Sequence, residues 1–175
     1  MRSRYGAEMM NHISESDFSP LSRADGPEVI AIFNHYIKNS YAAFLEHPVP
    51  DAFYDHMLGL LGSFPSAAIK DDGILVGFGM LRPHNPMPAF AHTAEVTYFI
   101  SPSHTGTGIG GAMLSYLEKK GREAGITCIL AQISSLNEGS IRFHEKQGFT
   151  HCGRFQNIGK KNGEFFDTVW MEKQI

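Results

Sequence analysis

Glu95–Gly111 reads EVTYFISPSHTGTGIGG, a β-rich run, a proline turn, and then four glycines in six residues at the mouth of an amphipathic helix. Glycine lets the backbone pass close to an anion and turn its amides inward. The helix behind adds unpaired N-terminal N–H groups and the positive end of its dipole. A loop of this kind is suited to phosphate, so an anionic cofactor is the expected guest.

Three phosphate-binding patterns compete for it. A mononucleotide P-loop ends in Gly-Lys-Ser/Thr, whereas here the glycines run into Gly111-Ala112-Met113. The dinucleotide pattern GxGxxG is formally present as Gly106, Gly108 and Gly111, but it belongs in an early βαβ unit whose second strand ends in an acid. The strand expected after this helix, Ile126 to Ile133, ends without one. The third pattern is the acyl-CoA loop.

Here the sequence resembles the GNAT acetyltransferase superfamily. Its Arg/Gln-x-x-Gly-x-Gly/Ala signature is matched around Gly106, Gly108 and Gly110 except at the first position, where Thr105 stands. A second landmark follows in order: Asn137, Ser140, then FHEKQGF over Phe143 to Phe149. The segments AIFNHYIKNS, AFLEHPV, HTAEVTYFISPSH and SIRFHEKQGF, with Gly163 ahead of Phe166-Asp167, narrow the resemblance to the phosphinothricin and methionine sulfoximine N-acetyltransferase group over about residues 15–173.

The whole chain is compatible with that family. Its 175 residues suit one domain, expected over 14–175 behind a polar, Met-rich arm at 1–13. Hydrophobic residues at 42%, charged residues at 19% and a net charge of -3 give no electrostatic reason to expect nucleic acid or an anionic membrane as partner. Apolar runs stop well short of the ~20 residues a membrane helix needs, and Met1 to Ile13 lacks the apolar core of a signal peptide, so a cytoplasmic protein is expected. Cys128 and Cys152 read as small buried hydrophobes in strands, and the scattered histidines show no metal-ligand spacing, so no metal site is expected.

Local signals give the element order. Asp25 ahead of Gly26-Pro27 reads as the cap of a first helix to about Lys38, and Asp51 caps a second reaching Leu61. Asp71-Asp72-Gly73 turns a hairpin between Ala67–Lys70 and Ile74–Leu81, and the proline-rich Arg82–His92 reads as an irregular connection. A helix over Ala112–Glu123, the strand Ile126–Ile133, a short helix over Gly139–Gln147 and a hairpin around Lys161-Asn162-Gly163 complete it. The order βααβββαβαββ is the one the resemblance implies: a mixed α/β sheet, twisted, with helices on both faces.

The resemblance also implies an acetyl-CoA-dependent N-acetyltransferase acting on a small primary amine, an amino acid or analogue, as a homodimer. The other readings are a protein or peptide N-acetyltransferase and an inactive acyl-CoA-binding module. Glu95 falls at the family's general base, and because an unperturbed carboxylate is a weak base toward an ammonium, the role needs burial or a relaying water. The backbone of Tyr98, Phe99 and Ile100 would bind the pantetheine arm. Thr105, Gly106, Thr107, Gly108, Ile109, Gly110 and Gly111 would hold the diphosphate. Asn137 and Ser140 would cap the short helix or touch the cofactor.

Set against the resembled family, Thr105 replaces an Arg or Gln and Thr107 a usual basic residue, an expected loss of about 1–2 kcal/mol in acetyl-CoA binding, with their hydroxyls left as donors. His144, unperturbed near pH 6.5, stands where the superfamily has a tyrosine acid and would donate its N–H to the departing sulfur. On the acceptor side the candidates are Phe44, Phe90, Thr97 and Arg82. The arginine-rich stretch of phosphinothricin acetyltransferases is replaced here by Met87-Pro88-Ala89-Phe90-Ala91, which points to a less anionic amine.

Overall fold

In the computed structural model, which describes residues 13–175, strands β1 (Phe18–Ser19), β2 (Ser66–Asp71), β3 (Ile74–Pro83), β4 (Thr93–Ile100), β5 (Cys128–Ser134), β6 (Thr150–Lys161) and β7 (Glu164–Gln174) form one sheet in the order β1-β2-β3-β4-β5-β7-β6. Helices α1 (Gly26–Asn39) and α2 (Phe53–Leu61) precede β2, α3 (Ile109–Glu123) links β4 to β5, and α4 (Glu138–Lys146) follows β5. The element order is the expected one. The arm expected at 1–13 lies outside the described residues apart from Ile13, which packs on the core. Among the described residues no helix is long and apolar enough to cross a membrane.

Every strand pairing is antiparallel except β4 with β5, and that exception shapes the molecule. The parallel ladder holds only Thr93, Ala94 and Glu95 against Cys128, Ile129 and Leu130, while β3 follows β4 out to Ile100. Beyond Glu95 the two strands part. Strand β4 therefore keeps an unpaired edge over residues 96–100, a row of backbone donors and acceptors that seeks partners.

Alternation along the strands feeds two cores, since successive side chains point to opposite faces. Ala94, Ile100, Ile129, Ala131, Ile133, Val169 and Met171 pack against Met113, Leu114 and Leu117 of α3. Phe78, Met80 and Phe99 pack on the other face against Val29, Ile30, Ile37 and Tyr54 of α1 and α2. Gly79 lets α3 settle on the sheet, because a Cβ there would stand 2.8 Å from Met113 Sδ and 3.0 Å from Tyr98 Cβ.

The turns follow their sequence signals. Asp72 and Gly73, and Asn162 and Gly163, all take positive φ at the two tight hairpins. Several local expectations need correction. Asp25 precedes α1, but its carboxylate turns back to Ser22 N at 2.7 Å and to Lys70 at 2.7 Å rather than capping the helix. Strand β3 runs on through Arg82 and Pro83, which pair with Glu95 and Ala94, so the irregular segment begins only after them. Helix α3 starts at Ile109 rather than Ala112, because left-handed Gly108 turns the chain directly into it. Cys128 is buried as expected, whereas Cys152 is exposed on the edge strand β6.

Lys161 shows how the last hairpin braces the site. Fully buried at the end of β6, it donates from Nζ to the carbonyls of Ser40 (2.8 Å) and Ala43 (2.6 Å), and burial holds its pKa below the ordinary lysine value. It thereby ties down the 40–46 segment that carries Ala42 and Phe44. Lys161→Met removes both donors and leaves two carbonyls unsatisfied, at a cost of about 2–4 kcal/mol. Thermal unfolding should show a clear drop in Tm, and an unchanged Tm would mean that water replaces the ammonium.

Candidate active site

Where β4 and β5 separate, a cleft of about 690 Å³ opens, floored by Val96 to Ile100 on one side and Ala131 to Ser134 on the other. The glycine loop closes one end. Gly106 and Gly108 have φ of +77° and +88°, and nothing stands within 4 Å of where a side chain would grow. The first-turn amides of α3 have no intrahelical acceptor, so this end offers converging N–H groups and a dipole to an anion.

Thr105, Gly106, Gly108, Gly110 and Gly111 all line the cleft. Thr107 and Ile109 do not: Ile109 is a core residue at 1% exposure, and Thr107 turns inward. The two threonine hydroxyls expected to serve as donors are already committed, Thr105 Oγ1 donating to Pro102 O (3.0 Å) and Thr107 Oγ1 to His104 O (2.6 Å). What the loop offers an anion is main-chain amide.

Along β4, Tyr98, Phe99 and Ile100 all line the cleft. Phe99 also packs its ring against Phe33, Tyr36 and Phe78. Tyr36, from α1, donates its hydroxyl to Ile100 O at 2.6 Å, a contact the sequence did not suggest. At the far wall Asn137 caps α4, its Oδ1 accepting from Ser140 N at 3.2 Å, and both residues line the cleft.

Glu95 stands at the apex of the V, in the last pair of the parallel ladder, and is only 7% exposed. It lies off the cleft's lining but on the same face of β4 as Thr97, which does line it. Both carboxylate oxygens are engaged: Arg82 Nη2 donates to Oε2, and His84 Nδ1 lies 2.8 Å from Oε1. This changes the reading of Arg82. Rather than reaching the site from a folded-back loop, it arrives across the β3–β4 ladder and spends its guanidinium on Glu95.

Phe44 and Phe90, expected on the acceptor side, do not line the cleft; they join two aromatic groups whose β7 members, Phe166 and Trp170, share one face of that strand. Phe44 stacks on Phe166 with centroids 5.6 Å apart, and Phe90 meets His84 at 6.1 Å, which in turn meets Trp170 at 6.1 Å. His84 and Trp170 were not anticipated. His84 belongs to the proline-rich segment whose course no local signal fixes.

His144, 4% exposed, is also read differently once placed. Its Nδ1 lies 2.8 Å from Ser140 O, and Tyr98 Oη lies 2.8 Å from its Nε2. Burial pulls its pKa below the ordinary histidine value. The ring's proton faces the helix backbone, so the expected donation from its N–H to a sulfur in the cleft is not available in this arrangement.

The fold and cleft are those of an acetyltransferase, and comparison with known proteins agrees. Residues 29–149 match the family model described as Acetyltransferase (GNAT) family, and the chain belongs to that family. It is 29% identical over 157 residues to an L-methionine sulfoximine/L-methionine sulfone acetyltransferase of Salmonella typhimurium, covering 87% of this chain and 91% of that protein. It is 28% identical to a phosphinothricin N-acetyltransferase of Streptomyces viridochromogenes, covering 91% and 87%. Among solved structures, yncA of Salmonella typhimurium, described as a putative acetyltransferase with its cofactor acetyl-CoA, superposes with a TM-score of 0.80 at 27% identity, covering 90% of this chain and 92% of that one.

Proposed function

We propose that this enzyme moves the acetyl group of acetyl-CoA to the primary amine of a small, amino-acid-like acceptor. The observation that carries the reading is the succession of three features along the parting of β4 from β5: an amide-lined glycine loop at a helix N-terminus, an unpaired strand edge over residues 96–100, and, at the apex, a buried carboxylate. The loop suits a diphosphate, the strand edge suits the amides of a pantetheine arm, and an acetyl thioester laid along that edge would end near Thr97 and Glu95. The acetyl-CoA bound in the Salmonella structure supports the same cosubstrate here.

In this reading Glu95 receives the first proton of the incoming ammonium, with Arg82 and His84 holding its carboxylate in place. Phe44, Phe90 and Trp170 give the acceptor an apolar surround. Because Arg82 is already paired, it makes a poor clamp for a second anionic group, which favours acceptors with neutral side chains over phosphinothricin. The dimer is part of the proposal too. Edge strand β6 is exposed along most of its length, and Phe155, Ile158 and neighbouring Phe165 leave large apolar surface open, as a covered edge would. A cytoplasmic enzyme folded as one domain fits these features.

Free-thiol release with a panel of acceptors tests the reading. Methionine sulfone, methionine sulfoximine and neutral amino acids should be acetylated with kcat/KM at least about 10-fold above phosphinothricin, the discrimination expected from one unpaired charge. Preference for peptide N-termini, or acetyl-CoA binding without release of CoA from any acceptor, would overturn it.

A further inference from the structure

His144 cannot by itself hand a proton into the cleft, and Tyr98 stands where it can. A carbonyl oxygen only accepts, so the 2.8 Å contact to Ser140 O fixes the hydrogen on Nδ1, with Ser140 Oγ 3.3 Å away. Nε2 of the neutral ring then bears a lone pair, and the hydroxyl 2.8 Å away is Tyr98's, donating. A chain of single orientation results: Ser140 C=O accepts from His144 Nδ1–H, and His144 Nε2 accepts from Tyr98 O–H. Its open end is Tyr98 Oη, whose remaining lone pairs are free to receive a proton.

Both residues line the cleft, and Tyr98 shares the face of β4 that looks toward α3 and α4. The imidazole packs against the rings of Tyr98, Phe143 and Phe149. Tyr98 is the titratable group that touches it; Lys173 of β7 lies over Phe149 and is paired with Glu118 at 2.6 Å. Burial keeps the tyrosine protonated and the histidine neutral.

We infer that Tyr98 is a catalytic residue of the transfer step, carrying the second proton of the acceptor amine to the departing sulfur, and that His144 acts through it as the proton store. The inference rests on the acetyl-transfer reading. With its first proton lost to Glu95, the amine nitrogen bonds to the thioester carbon and the carbonyl pair moves onto oxygen, leaving one proton too many on nitrogen. Tyr98 Oη takes that proton as its own passes to His144 Nε2. The oxygen pair then re-forms the carbonyl and the C–S bond breaks with its electrons on sulfur. Tyr98 delivers a proton to the sulfur, and His144 returns the stored one to Tyr98. An amide and a free thiol leave, Tyr98 and His144 are restored, and Glu95 gives up its proton to solvent.

Tyr98→Phe keeps the ring and removes the relay. It should lower kcat about 10- to 100-fold, the usual range for a lost proton-transfer group, with the Kd for acetyl-CoA changed less than about 3-fold. Burial holds His144 below the ordinary histidine range, so wild-type kcat should fall only on the acid side of that range, as His144 becomes charged and can no longer accept; the variant should lack that limb. Because the two act as one unit, Tyr98→Phe/His144→Phe should be no slower than the worse single variant. Independently of activity, nitrogen-15 NMR of the ligand-free protein should show His144 as the Nδ1–H form, with its Nε2 signal moved in Tyr98→Phe. Unchanged turnover in Tyr98→Phe, multiplying losses in the double variant, or an Nε2–H form would each overturn the relay. A wild-type protein that acetylates no amine would instead sink the proposed function, while the NMR result stands on its own.

Discussion

Glu95→Gln is expected to lower kcat/KM for the best acceptor by about 10²–10⁴-fold while leaving acetyl-CoA affinity within about 3-fold, because the substitution removes a base and little else. The geometry makes this a sharp test. Glu95 lies at the apex of the cleft and off its lining, away from the glycine loop that would hold the diphosphate, so cofactor binding has no direct stake in its charge. Glutamine has nearly the same size, yet one of its two terminal groups becomes a donor facing Arg82 or His84, which also need acceptors. A stability loss of about 1–3 kcal/mol should accompany the loss of rate, and Tm measured alongside separates the two. Arg82→Lys supplies the contrast. It keeps a cation near Glu95 but gives up the fork geometry, and should cost far less rate than loss of the carboxylate. If Glu95→Gln turns over at more than about a tenth of the wild-type rate, water or another group takes the first proton and the carboxylate serves only to anchor Arg82 and His84.

What the sequence reveals of this site, and what it hides, follows from the range over which each signal acts. The GTGIGG run, the Asp72-Gly73 turn and the Asn162-Gly163 turn were legible because positive φ is a local demand that few residues meet. Asn137 was legible as a cap because capping reaches only three residues ahead. The face of Tyr98 follows from period-two alternation, but its meeting with His144, 46 residues on, depends on how α4 docks against the parted strands. The Arg82–Glu95 pair depends on antiparallel register set by a connection over residues 84–92 that holds Pro86 and Pro88, where local rules run out. Edge strand β6 misled at Cys152 for another reason. A small apolar residue in a strand reads as buried, and only the strand order shows that β6 has a neighbour on one side alone.

The second large effect is expected at the glycine loop, where Gly108→Val should weaken acetyl-CoA binding about 10- to 100-fold with the fold retained. Gly108 sits at φ +88° as the residue from which α3 departs, a conformation that a β-branched side chain adopts only under strain of about 1–3 kcal/mol. Yet no atom stands within 4 Å of where its Cβ would be, so nothing in the protein itself is displaced. The space it would fill is the approach to the amides of residues 109–111, the volume a diphosphate needs if main-chain donors hold it. Gly110→Ala is the matched control: Gly110 lies in the helix, and its Cβ would make ordinary contact with Phe143 at 3.5 Å. Alanine there also favours the helix by up to about 1 kcal/mol, so Tm should hold or rise slightly, while affinity, since Gly110 lines the cleft, should fall far less than in Gly108→Val. Calorimetry with acetyl-CoA reads both. Equal affinity in Gly108→Val and the wild type would mean that the diphosphate is held elsewhere, and the amide-lined loop would lose its assigned role. Equal losses in both variants would mean that bulk anywhere in the loop, rather than backbone conformation at Gly108, governs binding.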